Sequence, residues 1–238
     1  MDYFYCPPDK ITPESFSIDG EEYSHLVHVM RKKEGDLIRI VDGLGNAYDA
    51  RLLSVKHKSA HGTLLKKYEQ HGEPSVQITL AVGMLKNFAK FDFLVEKATE
   101  LGVRKIIPLR TERTIPLHAK IARWQKLVLA AMKQSGRSFL PHVSEALSLE
   151  DLLENGPQTD AKLVAHEQLL PGAPSGFPRF KDRSSLLIVV GPEGGLSDQE
   201  VSECLKKGFQ PVYLGTRRLR TETAAIVTVA LTLLPPGR

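Results

Sequence analysis

At 238 residues, with 42% hydrophobic and 25% charged side chains, the chain is long enough to bury a core as one large domain or two modest ones. Its two cysteines, Cys6 and Cys204, are too few for a disulfide framework and have no metal-ligand spacing, so they read as free thiols in a reducing compartment. The net charge of +4 is unevenly placed: 12 basic against 4 acidic side chains lie between Met84 and Pro141, but 10 against 11 in residues 1–72, so the middle segment suits a phosphate backbone or is simply a solvated basic face.

Residues 1–72 read as short strands and turns. A short helix is predicted from about Glu21 to Met30, with Leu26, Val29 and Met30 on one side. Leu37 to Val41 alternates, Asp42-Gly43-Leu44-Gly45-Asn46 is a turn cluster, and Ala47 to Val55 can return as the partner strand. His61 to Tyr68 looks like another strand. The expected product is a small β-barrel, and His71-Gly72-Glu73-Pro74 marks its boundary with a second domain over 73–238.

From Ser75 the rhythm becomes strand then helix. Val76 to Val82 is an apolar strand, Phe91 to Leu101 a helix closed by Gly102 as C-cap, Val103 to Leu109 a strand, and Ile121 to Gln134 a long helix on which Trp124 reads as a packing residue. Lys162 to Ala165, Leu186 to Val190 and Val212 to Leu214 follow as buried strands, with helices near Ser197 to Lys207 and Thr221 to Leu234. The Pro-, Gly- and Ser-rich stretch Pro171 to Ser184 is expected to be a surface loop. Such alternation predicts a mainly parallel α/β sheet. The longest apolar stretch, Ala224 to Leu234, is far short of the roughly 20 residues needed to span a bilayer, and the N-terminus lacks a signal-peptide pattern, so a cytoplasmic location is expected.

Two strand-to-helix loops carry the strongest chemical signal. Leu186-Leu187-Ile188-Val189-Val190 runs into Gly191-Pro192-Glu193-Gly194-Gly195-Leu196-Ser197, where Ser197 and Glu200 can form a capping box. Ligands in α/β sheets bind beyond the carboxyl ends of strands, and glycines let backbone amides approach them closely. The pattern is neither a dinucleotide fingerprint nor a phosphate loop, so it fits a nucleoside-like ligand or an unliganded tight turn. In the second loop, Leu214-Gly215-Thr216-Arg217-Arg218-Leu219-Arg220 precedes Thr221, a plausible N-cap. Three arginines in four positions beside a helix start attract an anion, or form a solvated loop. Gln134-Ser135-Gly136-Arg137 at the end of the long helix is weaker. His118, His142 and His166 show no ligand spacing, and no metal is expected.

Taken in order, these stretches resemble the RsmE family, the 16S rRNA uridine-N3 methyltransferases of the SPOUT class. The likeness rests on Gly191-Pro192-Glu193-Gly194-Gly195 and on Leu219-Arg220-Thr221-Glu222-Thr223-Ala224. It extends to Glu96-Lys97-Ala98-Thr99-Glu100-Leu101-Gly102-Val103, Thr111-Glu112-Arg113, Gln134-Ser135-Gly136-Arg137, and His25-Leu26 through Val29-Met30-Arg31 with Gly35-Asp36. The chain departs from the family at Ala130 and Lys133, where acidic residues are usual, and at Arg218, where an apolar residue is common. The resemblance implies a PUA-like β-barrel followed by a SPOUT domain with a trefoil knot, which periodicity could not reveal. It also implies a homodimer with a composite site, S-adenosylmethionine as methyl donor, and uridine 1498 of small-subunit ribosomal RNA as target.

On that basis the donor is expected in a pocket walled by Val190, Gly191, Pro192, Glu193, Gly194 and Leu196, by Leu214, Gly215, Leu219, Arg220, Thr221 and Thr223, and by Leu163, Ala165 and His166. Methyl transfer is an in-line displacement, so positioning is much of the task. Uridine N3 carries a proton at neutral pH. Arg220 is expected to stabilise charge on the base carbonyls, with Glu193 and Glu222 as candidate proton acceptors. Arg31, Arg113, Arg123 and Arg137 are expected to hold RNA phosphates. Two rivals use the same residues: an RNA-binding module without catalysis, and a nucleotide-dependent oxidoreductase. The first leaves the glycine-rich strand ends unexplained, and the second lacks its fingerprint.

Overall fold

In the computed structural model, which describes residues 2–56, 58–116, 118–170, 176–181 and 184–234, the chain builds two sheets in two compact units. One unit holds Met1–Glu73 together with Leu129–Leu140; the other holds Pro74–Val128 and Pro141–Arg238. Among the described residues no helix is long and apolar enough to cross a membrane.

The first unit contains strands β1 (Tyr3–Tyr5), β2 (Ser15–Asp19), β3 (Leu37–Val41), β4 (Asn46–Lys56) and β5 (Ser59–Glu69), ordered β1-β3-β4-β5-β2. All neighbours run antiparallel except β1 and β3. Alternation in β3 sends Ile38 and Ile40 inward to join Phe4, Phe16, Ile18 and Leu52 in one apolar core. The predicted helix at Glu21–Met30 is broken. An α-helical turn, α1 (Gly20–Ser24), passes into a π-helical turn over His25–Val29, in which the Met30 amide donates to the His25 carbonyl at 2.9 Å. That extra residue per turn shifts the helical phase: Leu26 is buried and Met30 packs on the core, but Val29 turns outward and is 65% exposed.

Seven strands form the second sheet: β6 (Gln77–Gly83), β7 (Lys105–Arg110), β8 (His142–Val143), β9 (Leu147–Ser148), β10 (Ala161–His166), β11 (Ser185–Val190) and β12 (Gln210–Tyr213). Every pairing is parallel, in the order β12-β10-β11-β6-β7-β8, with β9 also on β7. Strands covered on both faces carry continuous apolar runs, and Leu186 to Val190 of β11 are all buried. The helices are α2 (Phe88–Glu100), α3 (Ile121–Gln134), α4 (Leu149–Asn155), α5 (Asp198–Lys206) and α6 (Thr221–Thr232). Gly102 follows α2 at φ +99, the left-handed geometry of a helix C-terminus. Trp124 is fully buried in α3, where it packs on Phe91 and donates Nε1–H to Asp92 at 3.0 Å. Half of the loop expected at Pro171–Ser184 lies outside the described residues.

In the second unit sequence reasoning missed β8, β9 and α4, as it missed β1 and β2 in the first. β8 and β9 have two residues each, too short for any periodicity, but α4 left a readable mark. Ser148 caps it by accepting the Asp151 amide at 2.9 Å, the start signal in Ser148-Leu149-Glu150-Asp151. Both cysteines are free and buried, and burial pushes the Cys6 thiol up to about 11 and the Cys204 thiol up to about 12.

Candidate functional site

Register fixes the site. Ala165 of β10 pairs with Val190 of β11 on one side and with Val212 of β12 on the other, so three parallel strands end level. Their following segments leave the sheet together, at the carboxyl edge where α/β folds bind ligands. They enclose a cavity of about 270 Å³.

The first wall is the glycine-rich turn after β11. A Cβ on Gly191 would lie 2.8 Å from Gly195 C and Leu196 N, so the turn closes this tightly only with glycine there. Ser197 and Glu200 complete the predicted capping box and fix where α5 begins: Ser197 Oγ accepts the Glu200 amide at 3.3 Å, and Glu200 Oε2 accepts the Ser197 amide at 2.8 Å. Two neighbouring strand ends brace this turn. The Lys86 amide, just after β6, donates to Glu193 Oε1 at 3.0 Å. Arg113, after β7, donates from Nη1 to the carbonyls of Gly194 at 2.8 Å and Leu196 at 3.4 Å. The Glu112 amide reaches Glu200 Oε1 at 2.8 Å, tying the same segment to the capping box.

The second wall is the arginine-rich segment after β12. Arg220, not Thr221, occupies the N-cap of α6; its backbone is extended and no side chain caps the helix. Thr221 is therefore the first helical residue, and it is buried. Arg217, Arg218 and Arg220 are exposed and line the cavity. The cluster has an acidic partner, since Arg218 Nε lies 3.3 Å from Glu167 Oε2. Glu167 follows Ala165 and His166 in the third wall.

Of the residues expected to hold a cofactor, Leu163, Gly194 and Thr223 do not line the cavity, and the others do. Leu163 is wholly buried in the sheet, since the inward face of a buried strand packs on helices. Lys90, Glu167, Gly195, Arg217, Arg218 and Ala224 also line the cavity, although none is in the expected cofactor set. Lys90 comes from α2, far away in sequence, and no local motif announces it. Both expected catalytic carboxylates, Glu193 and Glu222, are in the wall with Arg220.

The four arginines expected on RNA phosphates separate. Arg137 is 2% exposed and forms an ion pair with the buried Glu73 at 2.6 Å, so it is a structural charge and is withdrawn from any phosphate. Arg113 lines the cavity and braces the glycine turn. Arg123 is exposed but paired with Asp92 at 2.7 Å. Arg31 is exposed on a left-handed backbone, φ +53. Among the described residues no group of three or more His, Cys, Asp or Glu side chains could hold a metal ion.

Comparison with known proteins agrees with this layout. Residues 72–233 match the family model of an RNA methyltransferase domain, and residues 18–65 match that of an RNA methyltransferase PUA domain. The ribosomal RNA small subunit methyltransferase E of a Synechocystis species is 34% identical over 94% of this chain and 74% of its own length. The Bacillus subtilis protein of the same name is 33% identical over 91% and 88%. Among solved structures, the Neisseria gonorrhoeae methyltransferase E bound to S-adenosyl methionine superposes with a TM-score of 0.86 at 32% identity, covering 97% of this chain and 96% of that one. A Legionella pneumophila methyltransferase in complex with the same cofactor gives 0.79 at 27% identity, over 96% and 95%. With the glycine turn and the arginine segment inside the first of these matches, and β3, β4 and most of β5 inside the second, the chain belongs to the ribosomal RNA small subunit methyltransferase E family.

Proposed function

We propose that this chain transfers a methyl group from S-adenosylmethionine to N3 of a uridine in the 16S RNA of the small ribosomal subunit, at the position known as 1498. The observation that carries the reading is the convergence of three level strand ends on one cavity with a glycine-opened wall and an arginine rim. The residues present suit a sulfonium nucleoside. Val190, Pro192, Leu196, Leu214 and Leu219 offer apolar surface to a purine ring, and the absence of a side chain at Gly191 lets the backbone of the turn come close to its edges. The bound donor supplies an electrophilic methyl carbon. The chain's own work is to hold the acceptor nitrogen in line with it, exclude water, and manage one proton.

Arg220, at the cavity's rim, stabilises the negative charge that spreads onto the uracil carbonyls as N3 is alkylated. Glu193 and Glu222 are the carboxylates available to accept the N3 proton. The N-terminal unit and Arg31 place the RNA, consistent with the PUA match. A second copy of the chain completes the site: within α6 the run from Ala224 to Leu231 is apolar but for Thr228, and Ile226, Val227, Ala230 and Leu231 remain only partly buried along it. We assign the SPOUT trefoil knot to the segments that wall the cavity, in keeping with the family.

The test combines binding with RNA mapping. Small-subunit RNA from a strain lacking the gene should miss one N3-methyluridine, and the wild-type chain should restore it. Arg220→Ala should bind S-adenosylmethionine in a calorimeter yet restore nothing. Restoration by that variant at the wild-type level removes Arg220 from the chemistry, and a wild-type chain that takes up no donor ends the reading.

A further inference from the structure

Three carboxylates line the cavity, and they are not equivalent. Glu167 is exposed and faces Arg218. Glu193 is exposed and uses Oε1 to accept the Lys86 amide, bracing the glycine turn. Glu222 differs from both. It sits in the first turn of α6, is 8% exposed, and its Oε2 is buried with no hydrogen-bond partner among the described residues. Its ionic neighbour, Lys90 Nζ of α2, stands 3.9 Å from Oε1, too far for a hydrogen bond. An acceptor desolvated without a donor is costly, and native folds keep such groups where a ligand completes them.

Resting on the function proposed above, we infer that Glu222 takes the N3 proton of the bound uridine and that Lys90 positions it. The uracil nitrogen is a poor nucleophile while it carries its hydrogen, because its lone pair is shared with two flanking carbonyls. As the bond from N3 to the methyl carbon forms, the carbon–sulfur bond breaks and sulfur keeps that electron pair, leaving as a neutral thioether. The N–H electron pair stays on N3, and the proton passes to a Glu222 carboxylate oxygen, then to solvent when the product leaves. Arg220, two residues earlier at the N-cap, lines the same cavity, so acceptor and carbonyl clamp come from one helix start. Lys90 supplies the facing positive charge from α2 and acts on the uridine only through Glu222.

The experiment uses the full-length protein, small-subunit particles and S-adenosylmethionine, with donor binding and single-turnover methylation measured separately. Glu222→Gln keeps the side chain's shape. It should bind the donor within about threefold of wild type and lose roughly 10²–10⁴ in turnover at neutral pH, the range a positioned proton acceptor supplies. Its rate should climb as the medium becomes alkaline, because solution ionisation of uridine then replaces the missing acceptor. Glu222→Asp should recover part of the loss, and Lys90→Ala should lower kcat without changing donor affinity. Wild-type turnover by Glu222→Gln overturns the inference, as does a loss that is flat in pH or one that follows lost donor binding. A wild-type chain that binds no donor overturns the functional reading itself, and the two failures are thereby separated.

Discussion

Each unit buries a glutamate, and the two are treated in opposite ways. In the first, Glu73 is saturated: it takes Nη2 of Arg137 at 2.6 Å and accepts the amides of Ser138 at 3.1 Å and Phe139 at 2.9 Å. In the second, Glu222 keeps a buried oxygen with no hydrogen-bond partner among the described residues, and a lysine at 3.9 Å. A fold that must only persist pairs every buried charge, whereas a site that must receive something leaves capacity unspent.

Breaking the saturated glutamate should produce the largest change. Arg137→Ala strands a desolvated carboxylate, and removing one member of a buried pair costs about 3–5 kcal/mol. Denaturant unfolding should therefore show an unfolding free energy lowered by about that much and a correspondingly lower midpoint, with donor binding intact in the molecules that stay folded. Glu222→Gln should do the reverse, leaving the midpoint unchanged or raised while activity falls. If Arg137→Ala unfolds at the wild-type midpoint, the contrast between the two carboxylates fails.

Arg113 sharpens the comparison at intermediate size, because its bonds to the Gly194 and Leu196 carbonyls tie a charged side chain to the glycine turn. Hydrogen bonds from charged groups are worth about 1.5–3 kcal/mol, and this exposed example belongs at the lower end. Arg113→Ala should weaken donor binding about tenfold and leave the salt dependence of RNA binding unaltered. A salt slope reduced by about one would instead return Arg113 to the phosphate backbone, as the sequence alone suggested.

The arginines show where sequence reading stops. Strand ends and capping signals are local, so the glycine turn, the Ser197 box and the arginine segment could all be located from neighbours in the chain. Ion pairing is not local. Nothing near Gln134-Ser135-Gly136-Arg137 reveals that Glu73, 64 positions earlier, neutralises the guanidinium. Lys90 was hidden for the same reason, since only the packing of α2 near α6 brings it to Glu222. The π-helical turn at His25–Val29 defeated the helical period itself: one inserted residue sent Val29 outward where the 3.6-residue repeat had placed it inward. Pairs such as Ala165 with Val190 and Val212 follow from sheet order, which alternation alone does not specify.

The smallest effect belongs to a polar cluster of the first unit that is only partly enclosed. His71 Nε2 lies 2.8 Å from Tyr3 Oη and 3.3 Å from Arg39 Nη1. Because a guanidinium only donates, Nε2 must be the bare acceptor nitrogen, and the ring is neutral. Burial lowers the His71 pKa, and the Arg39 charge lowers it further, against weaker opposition from Asp49 and Glu73. Protonation is thus harder in the folded chain than in the unfolded one, where histidine titrates near 6.5. The stabilisation is complete above about pH 6.5 and is lost as pH falls through the folded value. Asp2 and Asp49 are held below the usual carboxylate range, so their contributions fade only in more acidic solution. Thermal melts of the wild type should consequently decline as pH falls below about 6.5, while His71→Gln, which retains an acceptor but cannot titrate, should hold level there. Parallel declines in the two proteins would show that His71 is protonated as easily folded as unfolded, and the pH sensitivity of the first unit would then rest on carboxylates such as Asp2 and Asp49 alone.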